Sequence, residues 1–369
     1  MKKLNFIIKY GLALLLLSFY SCESWLNVTP SDRLSEEMLF NDREGFVKAL
    51  NGVYIELNTN ELYGRNLTAG ALDVMGQYYS VASSSHAFYN YGGLVYTGND
   101  EKALFDNMWQ KCYAVIACCN TIIEKCDENK AGLSPVWKGS IKGEALALRA
   151  MLHFDMLRLF GPLTSELDKE SIPYQTNSDQ TVTPLLSGSE VIGLILDDLK
   201  NAVGLLKDTD PYFVEEEFSD TDLNYRRFRM NYFAAKGLMA RVQLWGGDKE
   251  KAAATAKEVI AEGQAEGAEF FPFVTNSEAT SSNPDRVFYS EVLFGTYHSS
   301  REKLHEDLFA PTLESTSILT LAGTARRDDL YDNENDYRYS VWSTYNKNGT
   351  SVLYHRKFEK QDNVTASRQ

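Results

Sequence analysis

The sequence is poor in positive charge, in cysteine and in long apolar runs, and each shortage argues against a class of protein. Its 369 residues carry 37 Lys and Arg against 51 Asp and Glu, a net charge of −14. Without a basic surface to neutralise phosphates, the chain is not expected to bind nucleic acid or to dock on anionic lipid through its own charge. One apolar stretch stands out, at the extreme N-terminus, which does not suit an integral membrane protein.

The few cysteines do not form a metal-binding or disulfide pattern. Apart from Cys22, they are Cys112, Cys118, Cys119 and Cys126, with no Cys-x-x-Cys spacing that would predict a zinc site. Three of them recur every seven residues, which on one helix separates their Cα atoms by about 10 Å, beyond the roughly 7 Å that a disulfide spans. We predict thiols buried in helix packing.

Common catalytic motifs are also missing. The sequence contains no Gly-x-Ser-x-Gly, His-Glu-x-x-His, P-loop or Gly-x-Gly-x-x-Gly, and its histidines are scattered at His86, His153, His298, His305 and His355. We therefore predict no catalytic residue, no metal and no cofactor. A glycoside hydrolase stays open as an alternative, because the required carboxylate separation of about 5 to 9.5 Å cannot be read from a sequence.

The N-terminal segment has the pattern of an export signal. A lysine-rich start precedes an uncharged run from Tyr10 to Ser21, and twelve helical residues rise only about 18 Å, short of a bilayer's roughly 30 Å core. Cys22 follows directly, as in a bacterial lipobox, which predicts that its thiol is acylated after export and anchors the protein. The alternative is ordinary cleavage that leaves Cys22 a free thiol. Residues 1–21 are thus predicted to be a lipoprotein signal peptide.

Apolar residues at helical spacing predict a run of helices. They begin near Trp109, Ser140, Ser189, Phe233 and Ala252, with Ser189 expected as an N-cap. The second is expected to stop at Gly-Pro after residue 160.

Two pairs of these helices are expected to form hairpins. Small residues in the fourth and fifth helices would let them approach closely, as in tetratricopeptide hairpins, although Gln243 stands where those repeats carry an aromatic residue. We predict hairpins over 109–160 and 230–262. Residues 66–101 and 264–350 lack this periodicity and are predicted to be loops, insertions and short strands.

The first of these loop regions is rich in aromatic residues. Six rings lie within residues 78–96, beside Ser, His and Asn side chains and without a single Lys or Arg. Sugars present apolar C–H faces that stack on rings and hydroxyls that need polar partners. The alternative is that the rings fill gaps under the loop. The predicted ligand-binding residues are His86, Tyr89, Tyr91, Tyr96 and Asn99, with Trp342 and Tyr345 as a second cluster.

Four segments carry a resemblance to a known family, and they are Cys22–Asp32, Phe46–Tyr54, Gly143–Pro162 and Phe233–Ala252. In this order they resemble segments of the SusD/RagB family of Bacteroidetes outer-membrane lipoproteins. In the third segment, Glu144 and Arg149 are not spaced as a helical ion pair. Arg149 is therefore expected to reach another helix and His153 to pack or bond across the hairpin, both in structural roles.

The resemblance implies a mostly α fold with tetratricopeptide-type hairpins and long loop insertions. It divides the chain into an N-terminal helical region over 22–265 and a loop-rich C-terminal region over 266–369, expected to be incomplete because family members continue with a further helix. It also implies an outer-membrane lipoprotein facing the exterior, which binds an oligosaccharide and passes it to a SusC-like TonB-dependent transporter. A RagB-like protein that binds peptide or glycoprotein, or a lid without its own ligand, remains an alternative.

Overall fold

Helices dominate the structure, as predicted. The computed structural model describes residues 36–360 except 180, 220–221, 223–224, 266–267 and 334, so Cys22 and the predicted signal peptide lie outside the described residues. None of the described helices combines the length and apolar character needed to cross a membrane. The helices are α1 (Glu36–Leu39), α2 (Arg43–Leu57), α3 (Ala71–Met75), α4 (Tyr89–Gly92), α5 (Asn99–Glu128), α6 (Pro135–Phe160), α7 (Gly188–Thr209), α8 (Tyr232–Trp245), α9 (Lys249–Gly263), α10 (Asn276–Thr280), α11 (Arg301–Leu308) and α12 (Thr324–Leu330).

Polar side chains determine where the long helices begin. Ser134 caps α6, and Pro135 occupies its first turn, where a missing N–H costs nothing. α7 begins after Ser187, because the Ser187 hydroxyl and the Glu190 carboxylate form a capping box that satisfies two otherwise unpaired N–H groups. The predicted N-cap at Ser189 is therefore wrong by two residues.

Helix α5 packs on α6, and α8 on α9, so the paired helices expected from the sequence are present. Gln243 accepts a hydrogen bond from the Thr255 hydroxyl (2.8 Å), so a polar contact between α8 and α9 stands where an aromatic ring is usual. Glycines that allow two helices to pack closely lie elsewhere, on α6. A Cβ on Gly143 would come within 2.7 Å of Leu206, so α6 and α7 depend on that glycine to pack closely.

Most buried side chains form one core between the long helices. Cys112, Cys119 and Cys126 are buried in it with free thiols, as predicted, whereas Cys118 is exposed. Burial raises the pKa of the three buried thiols, which keeps them protonated and unreactive. The large, fully buried side chains of this core include Phe46, Leu50, Leu57, Met108, Ile116, Ile122, Leu148, Leu152, Met156 and Phe233.

A second, smaller core joins the region before α5 to the segments after residue 300. The predicted loop 66–101 contains α3 and α4, and the Ser80 N–H donates to the Thr320 carbonyl (2.7 Å). This region is therefore packed against the distant part of the chain. The buried members of the second core are Ala69, Ala71, Val74, Tyr79, Phe88, Tyr91, Leu304, Leu308, Phe309, Leu319, Leu321, Trp342 and Leu353.

Short antiparallel strand pairs complete the described chain. β1 (Glu170–Pro173) pairs with β2 (Leu185–Ser187), β3 (Gln264–Ala265) with β4 (Ala268–Glu269), and β5 (Trp342–Lys347) with β6 (Thr350–His355). Between β5 and β6 the chain turns in two residues, Asn348 and Gly349, with φ angles of 51° and 85°. Positive φ at both positions is the geometry for which Asn-Gly is favoured.

Arg149 links three helices, which confirms the predicted contact with another helix. From α6 it forms a two-pronged ion pair with Asp198 on α7, with both N–O distances 2.7 Å. A third N–H donates to the Asn120 side chain on α5 (2.8 Å). All three groups are buried, so the ion pair is held in place by a complete set of partners.

His153 is buried beside this network as a neutral ring. Its Nε2 accepts the Gln175 backbone N–H (3.0 Å), so Nδ1 carries the proton and donates to the Arg149 carbonyl (2.9 Å). The ring also stacks on Tyr174, with 4.0 Å between centroids. Burial lowers the pKa of His153 from 6.5 to about 3, because a second N–H would have no acceptor and no water.

Acid should therefore destabilise the protein through His153. Between pH 6.5 and about 3 the unfolded chain binds a proton that the folded ring does not, so stability falls as pH is lowered, by up to roughly tenfold in the unfolding constant per pH unit. Urea unfolding at pH 7 and pH 5 measures this slope. His153→Gln should make it shallower, whereas equal slopes would contradict the assignment. Burial raises the pKa of Asp73 to about 6. Protonation of Asp73 therefore favours the folded state as pH is lowered, and it does so in both the wild type and the variant.

Candidate functional site

The residues predicted to bind ligand are divided between the second core and the surface. His86, Tyr91 and Trp342 are buried, with 5%, 3% and 4% of their surfaces exposed. Tyr89 and Tyr345 keep 42% and 41% exposed. Asn99, the first residue of α5, is exposed, and Tyr96 is half-buried. The structure thus does not bring the seven side chains together on one open platform.

Tyr91 packs as a core residue. Its ring lies edge-on to Phe88 and Phe105, with centroids 5.9 and 6.0 Å away, and its hydroxyl donates to the Asp100 carbonyl (3.5 Å). Burial raises the pKa of the Tyr91 phenol to about 12. We therefore assign Tyr91 to packing under the loop, which was the alternative reading of these rings.

His86 has a similar supporting role. Its Nδ1 accepts the Phe88 backbone N–H (3.0 Å), which closes the turn before α4, and the carbonyls of Ser317 and Ile318 approach the ring. Burial lowers the pKa of His86, so the ring is neutral at neutral pH. It holds the loop against the segment after α11 and has almost no surface to offer a ligand.

Trp342 and Tyr345 lie on opposite faces of β5. Side chains alternate along a strand, and the two positions are three residues apart. Trp342 faces inward, 4.5 Å from the ring of His355, its partner on β6, and about 6.3 Å from the rings of Tyr78 and Tyr79. Of the predicted second cluster, therefore, only the Tyr345 ring is exposed, and Trp342 is buried on the other face of the strand.

A large groove lies elsewhere, between the helical core and the C-terminal segments. Its volume is about 840 Å³, within the range of small-ligand sites. Tyr297 lines this groove with 51% of its surface exposed. Its basic and aromatic lining was not predicted, because the contributing residues are far apart in sequence. They include Arg158, Arg227, Arg241, Tyr289, Arg301, Lys357 and Phe358.

Four buried carboxylates on or next to the helices hold the fold together through ion pairs. Glu144 and Asp210 bind Arg226, Asp155 binds Arg158, and Asp198 binds Arg149. Each carboxylate is thus engaged by a cation. Within the described part of the chain, no group of three His, Cys, Asp or Glu side chains is arranged to hold a metal ion.

Comparison with known proteins gives a family match. Residues 24–244 match the model of the SusD-like proteins described as starch-binding and associating with the outer membrane. SusD-like protein P2 of Formosa agariphila is 26% identical over 265 residues, 70% of this chain and 46% of that protein. A SusD-like protein of Bacteroides ovatus is 30% identical over 146 residues, 38% of this chain and 23% of that protein. The chain spans less than half the length of these curated relatives.

Solved structures share the same fold. A SusD superfamily protein from Bacteroides vulgatus superimposes with a TM-score of 0.66 at 19% identity, over 88% of this chain and 70% of that chain. A SusD-like carbohydrate binding protein from the same organism gives a TM-score of 0.66 at 21% identity, over 87% and 66%. At this identity the similarity concerns the fold, and it confirms the helical architecture predicted from the sequence.

Proposed function

The chain belongs to the SusD-like family, as its four sequence segments predicted, and on this premise we propose that it binds a glycan at the outer membrane. The match of residues 24–244 to a family described as starch-binding and associating with the outer membrane carries the proposal. A SusD-like carbohydrate binding protein with the same fold supports it. The proposed activity is binding without catalysis. Release of reducing ends from a bound glycan would contradict that part of the proposal.

The rings of the predicted site that keep solvent-accessible surface are its proposed contacts. Tyr89, Tyr96 and Tyr345 keep accessible surface over a buried layer that fixes their backbones, and Asn99 offers an exposed amide. Ring stacking contributes about 1 kcal/mol for each contact, and an exposed hydrogen bond about as much. After ordering costs, a few such contacts support affinities in roughly the micromolar to millimolar range. Weak binding suits a protein that must release its cargo.

Replacing these three solvent-accessible rings together should remove glycan binding. We expect Tyr89→Ala, Tyr96→Ala and Tyr345→Ala in one protein to abolish its retardation in a glycan affinity gel, because no ring would remain to stack on the sugar. The helical circular-dichroism signal should not change. Tyr91 must stay in this variant, since its removal would open a cavity in the second core.

A matched control is available outside this region. Tyr225 is 49% exposed, so Tyr225→Ala removes a comparable surface ring and should leave retardation unchanged. If the triple variant still binds like the wild type, the glycan contacts lie on another surface. If the triple variant and Tyr225→Ala lose binding equally, the loss is not specific to the three proposed contact rings.

The proposal includes a lipid anchor at Cys22 and a transporter partner. Cys22 is the predicted acylation site, and we propose that the protein, so anchored, passes its glycan to a SusC-like TonB-dependent transporter. Cys22→Ala should move the protein from the membrane fraction to the soluble fraction, because a protein with net charge −14 has little attraction for anionic lipid. Unchanged fractionation would refute the anchor.

Mild-detergent purification of the wild-type protein tests the partner. Recovery of the lipoprotein without the transporter, when the transporter is verifiably present in the same membranes, would count against the proposed transfer. Co-purification would support it independently of the glycan assays.

A further inference from the structure

The groove described above has the opposite charge from the protein as a whole. Among the residues that the structure describes, five Lys and Arg side chains line it, Arg158, Arg227, Arg241, Arg301 and Lys357, against a single carboxylate, Asp155. The chain as a whole carries a net charge of −14. A concave surface of one sign with low-dielectric walls concentrates ligands of the other sign, so the groove should attract anions that the rest of the surface repels.

The one carboxylate in the groove is already neutralised. Asp155 binds Arg158 (2.5 Å) and accepts the Tyr63 hydroxyl (2.5 Å). Both of its oxygens are therefore occupied, and it has no free charge to offer the remaining cations. This pair contributes almost no net charge to the groove, and the excess positive charge comes from the other basic residues.

Three of these cations have no carboxylate within 4 Å among the residues that the structure describes. Arg227 donates to the carbonyls of Tyr289 and Phe270, neutral partners that position its guanidinium without cancelling its charge. Arg241 is exposed on α8, and Lys357 follows β6. Lys357 is exposed, and Asp73 acts on it only at longer range.

Aromatic rings lie beside the cations. The Tyr289 ring packs against the Arg227 guanidinium (5.0 Å), and Phe228 lies 5.8 Å from Tyr297, which is half-exposed. Rings stack on the apolar faces of sugars, while guanidinium groups bind carboxylate and sulfate in a planar, two-pronged manner. A small inorganic anion would use the cations but leave the rings without a partner.

We propose that this groove binds saccharides that carry carboxylate or sulfate groups. The inference rests on the proposed function, which it narrows from glycans in general to acidic glycans. The charge would come from uronate or sulfate groups paired with Arg241 and Lys357, and the sugar faces would stack on Tyr289 and Tyr297. A volume of about 840 Å³ suits a short oligosaccharide segment.

Binding of three defined oligosaccharides of equal length tests the proposal. We would titrate the purified full chain with an oligogalacturonate, a chondroitin sulfate fragment and a malto-oligosaccharide at low and high salt. At least one acidic probe should bind about tenfold or more tightly than the neutral probe at low salt, since charge-assisted hydrogen bonds exceed neutral ones. High salt should reduce the difference, and the two acidic probes distinguish carboxylate from sulfate.

Charge-matched variants locate the binding. Arg241→Gln with Lys357→Met should remove the preference for the acidic probe. Lys249→Gln with Lys257→Met removes the same charge from exposed positions on α9 outside the groove and should retain the preference. Equal loss in both double variants would show that only the overall charge matters and would overturn the proposal.

Other outcomes separate the inference from the proposed function. If the malto-oligosaccharide binds through Tyr89 and Tyr345 and the acidic probes bind no better, the groove inference fails and the proposed function stands. If no saccharide is retained, both fail. A polyglutamate peptide that binds the groove as tightly as the acidic sugars would indicate an acidic polypeptide and would overturn the assignment to saccharides.

Discussion

Replacing Arg226 by methionine should lower the free energy of unfolding by about 3–5 kcal/mol, because it leaves the buried Asp210 without a counter-charge among the described residues and Glu144 with only its longer ion pair to Arg229 (3.5 Å). Arg226 is 2% exposed and binds Asp210 through two N–H groups, at 2.9 and 2.7 Å, and Glu144 through a third. Glu144 also accepts the Tyr54 hydroxyl (2.6 Å). The network ties α2, α6, the end of α7 and the start of α8 together.

Chemical unfolding of Arg226→Met beside an exposed control measures this loss. Arg338 pairs with Asp336 at the surface (2.6 Å), so Arg338→Met should cost no more than about 1 kcal/mol. A loss for Arg226→Met as small as that of the control would mean that the buried carboxylates are protonated or hydrated in the variant. It would contradict the structural role assigned to this network.

Replacing Phe309 by alanine should have an effect of similar size in a different part of the protein. Phe309 is fully buried in the second core, with ring centroids 5.4 Å from Tyr79 and 5.3 Å from Phe358. Removing a buried aromatic ring costs about 3–5 kcal/mol in lost burial and cavity formation. Because Phe309 packs within the second core, the loss of stability should be concentrated in residues 69–105 and 301–358.

Hydrogen exchange with mass-spectrometric readout locates the loss. Phe309→Ala should speed exchange in those two segments while α6 and α7 stay protected. Phe46→Ala, the matched change in the first core, where Phe46 is 1% exposed, should instead speed exchange in the long helices. If Phe309→Ala speeds exchange uniformly, the two cores unfold as one unit. The expectation that the second core unfolds separately would then be wrong.

The helices were predictable because their signals are local. Apolar spacing and the Gly-Pro stop after residue 160 each act within a few residues. The structure confirms the helices that they indicate, although α6 begins at Pro135, before the expected start near Ser140. The contact from Arg149 to another helix was also predicted, because an arginine without a partner on its own helix must find one elsewhere. Its actual partners, Asp198 and Asn120, could not be read from the sequence.

The candidate site was less predictable, because burial of each ring depends on distant segments. The ring density of residues 78–96 was visible, but Tyr78 bonds to Tyr331 (2.7 Å), 253 positions later in the chain. That contact and those of Tyr79 with β6 bury part of this aromatic cluster in the second core. Spacing along β5 then separates Trp342 from Tyr345, and the sequence predicted short strands within residues 264–350 without locating this one.

By itself the sequence determined the helical class, the hairpins and the family, because periodicity, caps and short motifs are properties of neighbouring residues. Only the tertiary structure decided which aromatic rings face water and which cations share a groove. Arg158, Arg241 and Lys357 belong to three separate elements, and they line one surface because α6, α8 and the segment after β6 meet there. Such a meeting follows from packing over the whole chain, which no local pattern encodes.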